Sequence, residues 1–155
     1  MVTLQEGDKA PSFSGIDQNE KKISLSDYKG KKVALYFYPQ DDTPTCTIQA
    51  CNLRDNYKLL RKNGFEIIGV SPDNPGKHKK FQDKYKLPFT LIADPEHKVL
   101  QQYGVWDQKQ LFGNKYMGVL RTTFIIDEKG IIKKIFIKPK SKAHAEEIML
   151  SMSKK

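Results

Sequence analysis

The sequence predicts an α/β fold: a central mixed sheet, parallel at its middle, with an antiparallel hairpin at one edge and helices on its faces. Three observations predict it. Residues 33–38 (VALYFY) and 65–70 (FEIIGV) are nearly continuous apolar runs, the pattern of strands buried on both faces of a sheet. Between them lies a helix-length segment that opens on Thr43-Pro44 and closes on Asn63-Gly64. Strand, helix and strand in so few residues make a βαβ unit, so the two strands run parallel through a right-handed crossover. Finally, Glu128-Lys129-Gly130 separates two β-rich runs, 122–127 and 131–137, which reads as a hairpin.

Taken in order, residues 1–32 form an approach segment. Gly7-Asp8-Lys9-Ala10-Pro11 is loop chemistry, 23–25 a short strand, and 26–30 a turn or short helix closing at Gly30. Strand 33–38 stops at Pro39, which has no amide hydrogen for the ladder. Gln40, Asp41 and Asp42 make the turn. Thr43 is the expected cap, with Pro44 in the first turn, where its missing N–H costs nothing. That helix is expected to run to about Lys62, where Asn63-Gly64 stops it. After strand 65–70 come a loop (71–76), a charged helix (77–85) ending before Pro88, and a short strand (89–93). Asp94-Pro95 opens a further helix that stops at Gly104. Residues 105–120 show no clean period and are expected to form an ordered surface loop. The hairpin follows, and 143–152 closes the chain as a helix.

At 155 residues the chain is expected to be one domain, 1–155. Its net charge of +9 raises nucleic acid or an acidic surface as partners. The lysines, however, come in ones to threes, with no long basic run and no nucleic-acid motif, so a solvated lysine-rich surface is expected. No apolar run approaches the ~20 residues that span a bilayer. The first residues lack a basic segment followed by an apolar core. No membrane contact is expected, and a reducing cytoplasm is the expected setting, where cysteines serve catalysis or metals more often than staples.

The two cysteines, Cys46 and Cys51, carry the chemistry. Cys46 falls in the first turn of the helix after Pro39, among backbone N–H groups that no carbonyl has taken. Those groups and the helix dipole favour the thiolate, which is the nucleophilic form. The competing reading is a small buried residue. Five positions separate the cysteines, so this is not a Cys-x-x-Cys dithiol. The histidines, His78, His97 and His144, show no zinc-ligand spacing, and no metal is expected. A cysteine hydrolase needs a histidine base that the sequence does not place. On one helix, five residues rise about 7.5 Å and turn about 140°, setting the Cα atoms roughly 8–9 Å apart. A disulfide wants about 7 Å or less. Either Cys51 is a bystander within the helix, or the site works by local unfolding; spacing alone leaves both open.

The stretch Pro39…Thr43…Cys46 (Pro-x-x-x-Thr-x-x-Cys) resembles the active-site motif of the peroxiredoxins. Residues 39–47, Gln49-Ala50-Cys51 and Leu53-Arg54-Asp55 resemble the bacterioferritin comigratory protein branch, also called peroxiredoxin Q. Further matches include Gly7-Asp8-Lys9-Ala10-Pro11, Gly69-Val70-Ser71, Tyr103-Gly104-Val105-Trp106 and the run from Gly118 to Phe124. Thr45 departs from the glycine common at its position.

The resemblance implies a thioredoxin-like fold with an N-terminal extension. It implies that Cys46 is peroxidatic, attacking a hydroperoxide to give sulfenic acid. Thr43 is implied to hydrogen-bond the thiolate and the peroxide, Pro39 to shield the sulfur, and Arg121 to stabilise the thiolate and polarise the peroxide. Cys51 is implied to resolve the sulfenic acid as an intramolecular disulfide, reduced by thioredoxin or a similar dithiol. The expected enzyme is a monomeric thiol peroxidase with no cofactor. A redox sensor on the same fold and a basic nucleic-acid binder are the alternatives. Outside the site, Trp106 and Tyr116 are expected to pack within 105–120, Asp41 and Asp42 to form the turn, Arg54 to form a salt bridge, and His97 to lie on a helix surface.

Overall fold

The computed structural model describes residues 2–153; Met1, Lys154 and Lys155 lie outside the described residues. In chain order the elements are β1 (Ser14–Asp17), β2 (Lys22–Ser24), a 3-10 turn (Leu25–Tyr28), β3 (Lys32–Phe37), α1 (Pro44–Asp55) and α2 (Tyr57–Lys62). They continue with β4 (Phe65–Ser71), α3 (Pro75–Tyr85), β5 (Thr90–Ala93), α4 (Lys98–Gln102), β6 (Trp106–Leu111) and β7 (Asn114–Val119). β8 (Thr122–Ile126), β9 (Ile132–Ile137) and α5 (His144–Ser153) complete the fold.

Seven strands form one sheet in the order β2-β1-β5-β4-β3-β8-β9. β3 lies parallel to β4 (Lys32 opposite Phe65, Phe37 opposite Val70) and antiparallel to β8 (Phe37 opposite Thr122, Val33 opposite Ile126). β4 and β5 are also parallel. This is the expected mixed sheet, parallel at its middle, with the β8–β9 hairpin at one edge. At the other edge β1 and β2 form a second antiparallel hairpin, β1 pairing with β5. The polar sequence of β1 gave no sign of this strand.

The apolar run of β3 divides by the period of two that a strand imposes. Val33, Leu35 and Phe37 enter one core with Ile68, Val70, Leu100, Tyr103 and Phe124. Ala34, Tyr36 and Tyr38 enter the other with Leu53, Leu60, Ile67, Phe81, Leu91 and Ile148. Both faces are covered, which is why the run carries no polar alternation. Gly69 is required where it stands: a Cβ there would lie 2.9 Å from the Tyr36 ring.

Three expectations need correction. The helix from Thr43 does not run unbroken to Lys62. Asn56, at φ −109 and ψ 11, separates α1 from α2, and its side chain donates to the Asn52 carbonyl. Asparagine competes with the helix ladder in this way. Residues 105–120 are not a loop but a two-stranded hairpin, β6 with β7. It turns at Phe112 (φ 50) and Gly113 (φ 81), the positive angles of a primed hairpin turn. Its residues are mostly exposed, so no apolar period marked it; Phe112 is 95% exposed. The helix after Asp94 is shorter than expected. His97 takes a left-handed φ of 62 and α4 begins only at Lys98, while the Asp94 carboxylate accepts from the Lys98 and Leu100 amides.

Candidate active site

The site lies at the carboxyl end of β3, where a central strand hands over to a helix, a position favoured for ligands in such sheets. The Tyr38 amide still donates to Val70 O. Pro39 follows, half-buried, and ends the ladder. Asp42 turns the chain with φ 57, and Thr43 is extended (φ −93, ψ 156) at the N-cap position. Pro44 is the first helical residue. The first α-type bond runs from Thr47 N to Thr43 O, so the amides ahead of it have no acceptor within the helix.

Thr43 occupies the expected cap position, but its hydroxyl makes no cap bond; it donates to Gln40 O at 2.9 Å. The cap hydrogen bond expected from sequence is therefore absent. The hydroxyl closes the Gln40–Thr43 turn instead.

Cys46 sits in the first turn of α1 and is 2% exposed, packed in the core with Tyr36, Tyr38 and Ala50. Arg121, between β7 and β8, donates from Nη2 to the Cys46 sulfur at 3.2 Å. A guanidinium so placed puts a charged hydrogen-bond donor on the sulfur. Its Nη1 donates to Gln49 Oε1 at 2.9 Å. Gln49 is fully buried one turn beyond Cys46, on the same helix face. Sequence reasoning did not single it out; its i+3 spacing from Cys46 was the available signal.

Among the described residues, two buried side-chain polar atoms lack a hydrogen-bond partner: Gln49 Nε2 and the Tyr36 hydroxyl. Burial pushes the Tyr36 phenol well above its ordinary value, and the neighbouring Cys46 and Asp41 push it further. It is a neutral phenol.

Cys51 lies on the same intact helix, half-buried, and both thiols are free. Asn52, the next residue, clamps α1 to the start of α5: its Oδ1 accepts from Ala145 N and its Nδ2 donates to Lys142 O.

The two turn aspartates differ. Asp42 is exposed, held below the usual carboxylate range by Lys84 first and then by the Tyr85 hydroxyl. Asp41 is buried and does more than form a turn. With Asp73 and His78 it is the described residues' one grouping of potential cation ligands, within 4.8 Å of one another. The fold thus gathers a histidine that showed no ligand spacing in the sequence. His97 is not on a helix surface but half-buried ahead of α4, stacked on Trp106 at 3.8 Å. Trp106 packs outside its own hairpin, against the core and on His97, rather than within 105–120 as expected, and Tyr116 is exposed. Arg54 pairs with Asp55 and donates to Tyr85 O.

A guarded thiol held against an arginine at the mouth of a thioredoxin-like sheet marks a class of proteins that do redox chemistry on sulfur. Residues 6–135 match the AhpC/TSA family. The chain is 44% identical over 151 residues to peroxiredoxin Bcp of Bacillus subtilis, covering 97% of this chain and 96% of that one. It is 42% identical over 149 residues to peroxiredoxin Bcp of Escherichia coli, covering 96% of each. The solved structure of peroxidoxin BcpB from Mycobacterium tuberculosis superposes with a TM-score of 0.86 at 30% identity, over 97% of both chains. A cysteine-to-serine mutant of PrxQ from Xylella fastidiosa shares the fold with a TM-score of 0.92 at 24% identity, over 99% of this chain and 98% of that one. The chain belongs to the AhpC/TSA family and, within it, to the Bcp branch of the peroxiredoxins, enzymes that reduce hydroperoxides at the expense of a thiol. No helix among the described residues is long and apolar enough to cross a membrane.

Proposed function

We propose that Cys46 is the peroxidatic cysteine and that Arg121 is its activating partner. The observation that carries this is the 3.2 Å hydrogen bond from Arg121 Nη2 to the Cys46 sulfur, at a helix start. The thiolate attacks one peroxide oxygen and the O–O bond breaks. Sulfur loses two electrons and becomes sulfenic acid, and the second oxygen leaves, with a proton, as water or an alcohol. Arg121 holds the sulfur and, with it, the charge that develops on the peroxide. Pro39 screens the sulfur from bulk water. Thr43 orients the peroxide once its hydroxyl turns from Gln40 O.

Cys51 then attacks the sulfenic sulfur, expelling its oxygen as water and forming an S–S bond. On the folded helix the two Cα atoms are roughly 8–9 Å apart, beyond the ~7 Å a disulfide tolerates. The first turns of α1 therefore unwind in each cycle. Thioredoxin, or a dithiol like it, reduces the disulfide. The reading has one domain holding the whole site, acting as a monomer in the cytoplasm, without cofactor, nucleic acid or membrane.

The test is one equivalent of hydrogen peroxide on the reduced protein, followed by intact mass. Loss of two hydrogens is expected, retained after digestion on the single tryptic peptide, residues 33–54, that carries both Cys46 and Cys51. An unreacted Cys46 at neutral pH would sink the proposal.

A further inference from the structure

The loop from Pro39 to Thr43, which leads into the Cys46 helix, is not held by its own bonds alone. Asp42 sits at a left-handed φ of 57, which side chains other than glycine adopt at a cost. The loop's remaining side-chain contacts run to the segment from the end of β4 through α3. Asp42 meets Lys84 and Tyr85 at the exposed side, where ion pairs contribute little. The buried side differs. The Asp41 amide donates to Asp73 Oδ2 at 2.7 Å, and that carboxylate also accepts from the Ser71 hydroxyl. Asp41 Oδ1 accepts from the Tyr38 hydroxyl at 2.6 Å. Asp41 Oδ2 meets His78 Nδ1 at 2.6 Å, and His78 Nε2 meets Ile92 O of β5 at 2.9 Å. His78 is 0% exposed. Lys77 lies 3.9 Å from Asp73 Oδ1.

Proton accounting fixes the character of the Asp41–His78 contact. A backbone carbonyl only accepts, so Nε2 carries a hydrogen. Nδ1 then faces a carboxylate oxygen, and one further proton must lie between them. The pair is a charge-assisted or acid–imidazole hydrogen bond, short and directional either way. It joins the loop on one side of Cys46 to α3 and, through Ile92 O, to the sheet.

We propose that His78 and Asp41 are positioning residues for the peroxidase reaction: their hydrogen bond sets the loop that places Pro39 and Thr43 around the Cys46 sulfur. This rests on Cys46 being the reacting thiol. Neither residue touches the sulfur in the hydrogen-bond network; each acts through the loop. A loop displaced by an ångström misplaces peroxide and thiolate, with losses up to about a hundredfold.

The experiment measures the second-order rate constant of the reduced protein with hydrogen peroxide, and the rate of Cys46 alkylation by iodoacetamide. Wild type comes first: if it does not react with peroxide, the peroxidatic reading fails, whatever the variants do. If it reacts, Asp41→Ala should slow the peroxide rate about tenfold or more, while far-ultraviolet circular dichroism stays native. Asp41→Asn should hold the rate within about threefold of wild type. Its amide can donate to a neutral His78 Nδ1 while its oxygen accepts from Tyr38. Asp41→Leu, which fills the same space without hydrogen-bonding His78, should be as slow as Asp41→Ala, whereas a packing role would restore its rate. His78→Leu, melting above the assay temperature, should match Asp41→Ala in rate, and the double variant should lose no more than either single. An Asp41→Ala protein within twofold of wild type, an Asp41→Asn protein as slow as Asp41→Ala, or losses that multiply in the double variant would overturn the proposal while leaving Cys46 as the reacting thiol.

Discussion

Arg121 donates to the sulfur of Cys46 at 3.2 Å although the two residues stand 75 positions apart in the chain. The sheet closes that distance. β8 begins at Thr122, opposite Phe37 at the end of β3, so Arg121 projects just beyond the last paired residue, beside the loop that leads to Cys46. The contact is a consequence of register.

Replacing that arginine removes a hydrogen bond from a charged donor. Such bonds contribute about 1.5–3 kcal/mol, which corresponds to about ten- to a hundredfold in rate at 1.36 kcal/mol per decade. Arg121→Gln is expected to slow reaction with hydrogen peroxide by that factor, measured by stopped-flow under single-turnover conditions. An unchanged rate would mean that the guanidinium does not act on the sulfur.

Gln49 separates activity from stability. Its Oε1 holds Arg121, while its buried Nε2 has no partner. An unpaired buried amide is itself a cost. Gln49→Leu, close in volume, should leave stability within about 1.5 kcal/mol of wild type. The peroxide rate should fall several-fold as Arg121 loosens. Chemical denaturation and peroxide kinetics on the same preparation decide it; equal losses in both would make Gln49 a core residue only.

For the second cysteine, Cys51→Ser should form sulfenic acid at Cys46 at the wild-type rate within about twofold, because Cys51 lies beyond bonding reach on the folded helix. Turnover with thioredoxin and its reductase should then stall. Steady-state rates equal to wild type would remove Cys51 from the cycle.

His144 supplies a pH dependence. It is fully buried, its Nδ1 against Glu147 and its Nε2 against the Thr123 hydroxyl. Burial holds its folded value below the ordinary 6.5, with the Arg121 charge adding to the effect and Glu147 opposing it. A lowered folded value means that the unfolded chain takes up the proton first. Stability is therefore full above about 6.5 and is lost as pH falls towards the folded value. His144→Gln should flatten the loss below pH 6.5 by up to one proton, about 1.4 kcal/mol per pH unit. Melting at a series of pH values measures it, and parallel curves would assign the acid loss to other groups.

The sequence revealed the sheet where a residue pattern had a physical cause. The runs at 33–38 and 65–70 are apolar because two cores cover them, and Pro39 and Asn63-Gly64 punctuate the chain at their ends. The β6–β7 hairpin stayed hidden because most of its residues face water, leaving no apolar period to read. Cys46 and Arg121 were legible through a motif and a family resemblance. Gln49 and the Asp41–His78 pair were not: a bond between residues 37 positions apart leaves no trace in local composition.

The register of β3 has one more consequence. A slip by one residue would turn Tyr36 and Tyr38 out of one core and into the other, and two paired neighbours, β4 and β8, forbid it. The strand end that launches the Cys46 helix and the strand start that carries Arg121 are thus pinned to one another independently of α1. If the helix frays in each cycle, it does so against a jig that does not move, and it re-forms from the same anchor every time. Amide hydrogen exchange would display this division of labour: slow exchange along β3 and β8, and fast exchange in the opening turns of α1, in a chain whose working part is remade continually and whose ruler never is.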